Sequence, residues 1–182
     1  MTDAEIISRA SSGDRGAFAE LYERHWRAVY RYAWLLVKSV PDAEDVTQEC
    51  FLALIRRPAA FDRSRSNLRT WLLAIVRNQA LRRYRNLQGQ ANEADETPEM
   101  ATGIDQELIM QERADALHRA FEHLPSLQRE ALFLFEFEGL SLAETAAVLK
   151  IEPNAVKARL FRAREQLKRV LDPQRPALKL EK

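Results

Sequence analysis

The stretch Ser141–Arg169, SLAETAAVLKIEPNAVKARLFRAREQLKR, constrains the fold more than any other part of this chain. Ser141 followed three residues later by Glu144 spells a capping box, which opens a helix by satisfying two orphan backbone donors. Leu142, Ala146 and Leu149 line one face of that helix. A second helix starts near Pro153, a residue tolerated in a first turn because its missing N–H is not needed there. Its apolar residues, Val156, Leu160, Ala163, Leu167 and Leu171, form one stripe at about 100° per residue. A short helix, a tight turn and a longer basic helix make a helix-turn-helix.

The polar side of the second helix carries Asn154, Lys157, Ala158, Phe161, Arg162, Glu165 and Lys168, with Arg159 and Arg164 on its flanks. A solvated face has little use for a phenylalanine. A helix lying in the major groove can set one against a thymine methyl, while Lys and Arg donate to guanine edges or phosphates and Asn pairs with adenine. The alternative is a charged amphipathic helix that merely closes a bundle. The joint occurrence of helix, turn and basic helix favours the nucleic-acid reading.

The rest of the chain predicts an all-α fold. Only five of 182 residues are glycine, strand-like alternation is missing, and helix formers dominate. No apolar run approaches the ~18 residues of a membrane span. The start, MTDAEIISRA, is polar and acidic, unlike a signal peptide. A lone Cys50 allows no internal disulfide and suits a reducing cytoplasm.

Net charge is only +1, but the charges are segregated. Nine arginines lie between Arg56 and Arg85 against Asp62 alone, and six bases lie between Asn154 and Val170 against Glu165. Between them, residues 92–116 hold eight acids and only Arg113. Two separated basic surfaces suggest two contacts with a polyanion.

Periodicity and caps divide the chain further. Thr2 with Glu5 predicts a short helix to Ala10. Asp14 caps a helix running to about Lys38, with Phe18, Leu21, Tyr22, Val29, Ala33, Leu36 and Val37 as its buried stripe. A third helix covers Pro41–Arg56, with Ala43, Val46, Cys50, Ala53 and Leu54 inward, and Pro58 ends it. After a polar loop, Ala59–Asn67, a fourth helix spans Leu68–Arg85 and carries Trp71, Leu72, Ile75 and Val76. Residues 88–105 lose periodicity and read as an acidic linker. A second helical group begins near Glu107; within it, Pro125 starts a helix that Gly139 terminates. The Pro-containing tail after Leu171 reads as frayed.

With these elements in place, four stretches resemble the sigma-70 family of RNA polymerase sigma factors, in its extracytoplasmic-function (ECF) group. They are DAEDVTQECFLALIRR (Asp42–Arg57), LRTWLLAIVRNQALRRYR (Leu68–Arg85), HLPSLQREALFLFEFEGLSLAETAAVL (His123–Leu149) and AVKARLFRAREQLK (Ala155–Lys168). The resemblance implies two helical domains: sigma domain 2 over 1–87 and sigma domain 4 over 107–171, joined by linker 88–106, with a tail at 172–182. Within Asp42–Arg57 it implies that Asp45, Gln48, Glu49, Leu52 and Ile55 bind the β′ clamp helices of core RNA polymerase, with Phe51 at the edge. The β subunit and an anti-sigma factor are further implied partners.

For the promoter, the resemblance implies −10 recognition and melting by Ser64, Ser66, Asn67, Trp71, Arg77, Asn78, Arg82 and Arg83. Opening a duplex costs about 1–2 kcal/mol of stacking per step. A basic groove and base pockets recover that cost by holding the opened strand. It implies −35 recognition by Lys157, Phe161 and Arg162, with Ala158 allowing close approach and Arg159, Arg164 and Lys168 mainly on phosphates, and the residue types add Asn154 as a candidate base contact. Lys150 stands where the family generally has Gly, so the turn is expected to avoid a positive φ. Asn154 and Ala155 replace a frequent Gly-Thr or Glu-Thr pair.

Catalysis by this chain alone is not expected. His25, His118 and His123 lack metal spacing. No Gly-rich phosphate loop or G-x-S-x-G is present, and Cys50 reads as a core thiol rather than a nucleophile. No cofactor is implied. The competing readings are a stand-alone helix-turn-helix regulator and a pure interaction module.

Overall fold

The computed structural model describes residues 1–88 and 117–171, which fall into two compact units. Among the described residues the secondary structure is helical throughout, with no strand. The expected linker, the start of the second helical group and the tail lie outside the described residues.

The first unit holds α1 (Asp3–Ser11), α2 (Arg15–Val37), α3 (Val40–Arg56) and α4 (Leu68–Gln88), with a 3-10 turn at Pro58–Ala60. The helix starts are the ones the side chains specify. Thr2 and Glu5 close their capping box, the Thr2 N–H donating to Glu5 Oε2 at 2.8 Å and the Glu5 N–H to Thr2 Oγ1 at 3.4 Å. Asp14 accepts from the Ala17 N–H at 3.0 Å, and Ser39 accepts from the Asp42 N–H at 3.4 Å. Each satisfies an N–H that has no intrahelical partner. Lys38 ends α2 in the left-handed region at φ 53°.

α2 is the central helix and packs against α1, α3 and α4. Its core side is Ala17, Leu21, Ala28, Val29, Tyr32, Ala33 and Leu35, with His25 also buried. This corrects the expected stripe. Tyr22 is exposed, Phe18, Leu36 and Val37 are only half-buried, and the buried line runs one step round the helix. Aromatic rings at Phe18 and Tyr22 look like core in a sequence, yet the buried positions include the small Ala17, Ala28 and Ala33. On α3, Ala43, Val46, Cys50 and Leu54 are buried as expected. Phe51 is fully buried rather than at an edge, and Ala53 is only half-buried. α4 contributes Leu68, Leu72, Leu73 and Val76.

α1 is tied down by more than Ile6 and Ile7. Asp3 accepts from Arg24 at 2.8 Å and lies 3.0 Å from Nε2 of the buried His25. Desolvation holds the His25 pKa below 6.5, against the opposing pull of the Asp3 charge.

The remaining helices are α5 (residues 117–122), α6 (Ser126–Leu132), α7 (Leu142–Leu149) and α8 (Pro153–Leu171). The helix expected to run unbroken to Gly139 changes character at Phe133–Phe137, which forms a π turn. The Glu138 N–H reaches back five residues to the Phe133 carbonyl at 3.0 Å. The extra residue in that turn rotates the faces. Phe133 and Leu134 go inward, Glu138 becomes buried and Phe137 is left exposed. Gly139 then takes φ +65°, which a residue with a Cβ adopts only at a cost.

The Ser141–Glu144 capping box forms in both directions, at 2.8 and 3.2 Å. The turn after α7 corrects the sequence expectation. Lys150 adopts φ +54° despite its side chain, and the Ile151 N–H bonds the Ala146 carbonyl at 3.1 Å. That is a Schellman closure, and its geometry demands a left-handed residue whichever side chain stands there. On α8, Val156, Leu160 and Ala163 are buried, Leu167 is half-buried and Leu171 is exposed, so the apolar stripe is covered only along its first half.

Candidate functional site

Three surfaces collect the residues singled out from the sequence. The first is the outer side of α3. Burial of Ala43, Val46, Cys50 and Leu54 turns the opposite side of the helix to solvent. Asp45, Gln48, Glu49 and Ile55 are exposed there, and Leu52 is half-buried. The result is an acidic patch with two aliphatic side chains.

This patch continues into a groove of about 610 Å³ between α2 and α3. Phe18, Tyr22, Trp26 and Tyr30 form one wall, and Gln48, Phe51 and Leu52 belong to the other. Tyr22 packs on Phe51 at 4.8 Å and stacks along α2 with Trp26 at 6.4 Å. Trp26 and Tyr30 were not singled out from the sequence. The signal was present, since four aromatics recur every fourth residue, but an aromatic ladder at that spacing ordinarily marks a core. Cys50 lies beneath, its Sγ 3.4 Å from the Leu72 carbonyl, and burial pushes its thiol pKa up to about 12. It stays protonated and inert at neutral pH.

The second surface is α4 with its preceding loop. Asp62 accepts from the Ser64 N–H at 2.9 Å and from the Ser64 hydroxyl at 2.7 Å. These bonds from Ser64 hold the Asp62 carboxyl below its ordinary pKa. Ser64 therefore spends its donor on shaping the loop. Asn67 Oδ1 accepts from the Thr70 N–H at 2.8 Å, so this side chain caps α4. Ser66 is half-buried. Trp71 is half-buried and meets Phe61 edge-on at 5.7 Å.

At about 100° per residue, Trp71, Asn78 and Arg82 share one side of α4, with Arg77 about 100° round on one edge and Arg83 about 100° round on the other. Arg82 is exposed, and Arg77 and Asn78 are half-buried. Arg83 falls on the side of Leu72 and Val76 and turns to α3, where its guanidinium bonds Asp42 and Asp45. The structure thus gathers Trp71, Asn78 and Arg82 on one side, sets Ser64 and Asn67 to shaping the loop and capping α4, and turns Arg83 to α3.

The third surface is the outer face of α8. Asn154, Lys157, Ala158, Phe161 and Arg162 are exposed together, and Arg159 is half-buried. Phe161 is 59 % exposed. Arg164 is paired with Glu136 and lies 5.7 Å from the Phe135 ring centre. It braces α8 against the π turn. Among the described residues, no group of three or more His, Cys, Asp or Glu side chains converges to hold a metal, and no helix is long and apolar enough to cross a membrane.

Known proteins share this arrangement. The sigma-70 region 2 family model matches residues 21–90, and the sigma-70 region 4 model matches residues 114–167. The ECF RNA polymerase sigma factor SigM of Mycobacterium tuberculosis (strain ATCC 25618 / H37Rv) is 33% identical over 178 residues, covering 93% of this chain and 85% of that protein. The ECF RNA polymerase sigma-E factor of Escherichia coli (strain K12) is 31% identical over 188 residues, covering 95% and 96%. Among solved structures, CnrH in complex with the cytosolic domain of CnrY superposes with a TM-score of 0.66 at 26% identity, over 95% of this chain and 99% of that one. The sigma factor RpoE in complex with the anti-sigma factor NepR, from Bartonella quintana, gives 0.67 at 26% identity, over 87% and 98%. With both family regions matched in order over most of its length, the chain belongs to the sigma-70 family of RNA polymerase sigma factors, in the ECF group.

Proposed function

We propose that Asp45, Gln48, Glu49, Leu52 and Ile55 dock this sigma factor on the β′ clamp helices of core RNA polymerase. Acids complement a basic partner, while Leu52 and Ile55 supply apolar area. The α4 side carrying Trp71, Asn78 and Arg82, with Arg77 beside it, then receives the opened −10 strand. The α8 face of Asn154, Lys157, Ala158, Phe161 and Arg162 reads the −35 duplex. In this division, residues 1–87 form the polymerase and −10 domain, 88–106 the linker, 107–171 the −35 domain and 172–182 a tail.

One observation carries the reading: the α3 and α8 residues proposed for contact are exposed, apart from the half-buried Leu52, on helices whose other side is packed, and on α4 Arg82 is exposed beside the half-buried Trp71 and Asn78. The chain has no chemistry of its own in this scheme and lends specificity to the enzyme it binds, in the cytoplasm. An anti-sigma partner fits the same scheme, because a helix laid in the aromatic groove would overlap the polymerase face at Gln48 and Leu52.

The test is to mix the full chain with sigma-free bacterial core RNA polymerase and a promoter library, and to map transcript starts. Defined starts that depend on the chain are expected. DNA binding without core and without starts would instead identify a stand-alone regulator, and neither binding nor starts an interaction module.

A further inference from the structure

Arg83 stands between two carboxylates of the neighbouring helix. One guanidinium nitrogen, Nη2, donates to Asp42 Oδ1 at 2.9 Å and to Asp45 Oδ2 at 3.0 Å. Asp45 belongs to the candidate polymerase face, whereas the family resemblance places Arg83 with the −10 contacts. The geometry separates these assignments. On α4, Arg83 lies on the side of Leu72 and Val76, away from Trp71, Asn78 and Arg82. To reach a strand held on that other side, its side chain would first have to leave both carboxylates.

The electrostatics supply a reason for the arrangement. Asp42 and Asp45 are three residues apart on one helix, so their charges face each other and repel. A single cation between them removes that repulsion and fixes both rotamers. The bridge is a weak source of stability, because its members are partly exposed, with side-chain exposures of 31% for Arg83, 41% for Asp42 and 59% for Asp45. Its effect is on orientation. Oδ2 of Asp45 is held by Arg83, and the rest of this exposed carboxylate is presented to solvent, ready for a cationic group of a partner. Fixing a contact group before binding saves the cost of ordering it afterwards.

Resting on the polymerase reading above, we propose that Arg83 is a positioning residue of the polymerase-binding face, acting through Asp45, and does not contact −10 DNA. The experiment measures two affinities for the full chain: one for sigma-free bacterial core RNA polymerase, one for a fluorescent 12-nucleotide single-stranded DNA pool. Arg83→Gln is expected to weaken core binding 3- to 10-fold and to change single-strand binding less than 2-fold. Arg82→Gln is expected to do the reverse. Arg83→Lys should restore core binding to within 2-fold, since one nitrogen serves both carboxylates and an ammonium can do the same. In the Asp45→Asn background, Arg83→Gln should cause no further loss.

A thermal melt of each variant provides the control for folding, and a surface bridge of this kind should leave the midpoint almost unmoved. A drop in single-strand affinity with Arg83→Gln as large as that with Arg82→Gln would overturn the proposal. So would unaltered core binding by Arg83→Gln, or a full further loss in the Asp45→Asn background. Failure of the unmodified chain to bind core would overturn the polymerase reading itself, and the proposal with it.

Discussion

α4 and α8 are both arginine-rich helices, and they use their arginines differently. α8 keeps a simple division, with Val156, Leu160 and Ala163 inward and Lys157, Phe161 and Arg162 in water. α4 packs against both α2 and α3. A helix gripped on two sides has little free surface, so adjacent arginines part company: Arg82 faces solvent and Arg83 is drawn to Asp42 and Asp45. On a helix packed on two sides, a basic run is divided between neighbours and solvent, so only part of it is open to a nucleic acid.

The comparison can be broken most forcefully at the packed sides. Leu72→Ala in α4 and Leu160→Ala in α8 should each cost about 2–5 kcal/mol, the usual loss for emptying a buried leucine site. Chemical denaturation of the full chain would report it, and a loss below about 1 kcal/mol at Leu72 would contradict the two-sided burial of α4.

On the exposed side, Phe161→Ala should leave stability within about 0.5 kcal/mol. It should lower affinity for −35 duplex DNA by about 1–3 kcal/mol and leave core binding intact. Equal loss of both activities would show that the ring is not at a DNA face.

Salt titration sharpens the contrast between the two helices. Removing one phosphate contact reduces the slope of log affinity against log salt by about 0.9 for duplex DNA and about 0.7 for a single strand. Lys157→Gln should show the first change with duplex probes, and Arg82→Gln the second with single-stranded probes. Unchanged slopes would remove those residues from the contact set.

Acid sensitivity should reside in the first unit. The His25 pKa is depressed in the folded state, so the folded protein binds fewer protons than the unfolded chain as pH falls below 6.5. Stability is then fully present above that pH and is lost as pH falls towards the lowered folded value. His25→Gln should flatten the fall in melting temperature between neutral pH and about pH 5 relative to the unmodified chain. An equal fall in both proteins would mean that His25 does not carry it.

The smallest effect is expected at Lys150. Its left-handed backbone costs a non-glycine residue about 1–2 kcal/mol. Glycine loses about 0.5–1 kcal/mol in extra unfolded-state entropy. Lys150→Gly should therefore gain roughly 0.5 kcal/mol, visible as a small rise in the denaturation midpoint.

Much of the architecture was legible because its signals are local. The Thr2, Asp14 and Ser141 caps sit next to the N–H groups they satisfy, and the α3 and α8 faces follow from one helical period. What could not be read depended on distant neighbours. Tyr22 and Trp26 form a groove wall rather than a core because α3 arrives beside them. Arg164, expected at DNA, braces α8 through Glu136, 28 residues earlier. The π turn at Phe133–Phe137 has no short sequence signature; it follows from how that segment must turn before Gly139.

By itself, the chain of residues determined where helices begin, which side of α8 is apolar, and that the family's two regions occur in order. Those properties arise from hydrogen bonds and periodicities spanning three or four residues. The helical period already sets Arg82 and Arg83 about 100° apart; tertiary structure alone decided that Arg83 answers Asp42 and Asp45. That choice depends on α3 and α4 lying side by side, a proximity that forty residues of intervening sequence do not encode locally.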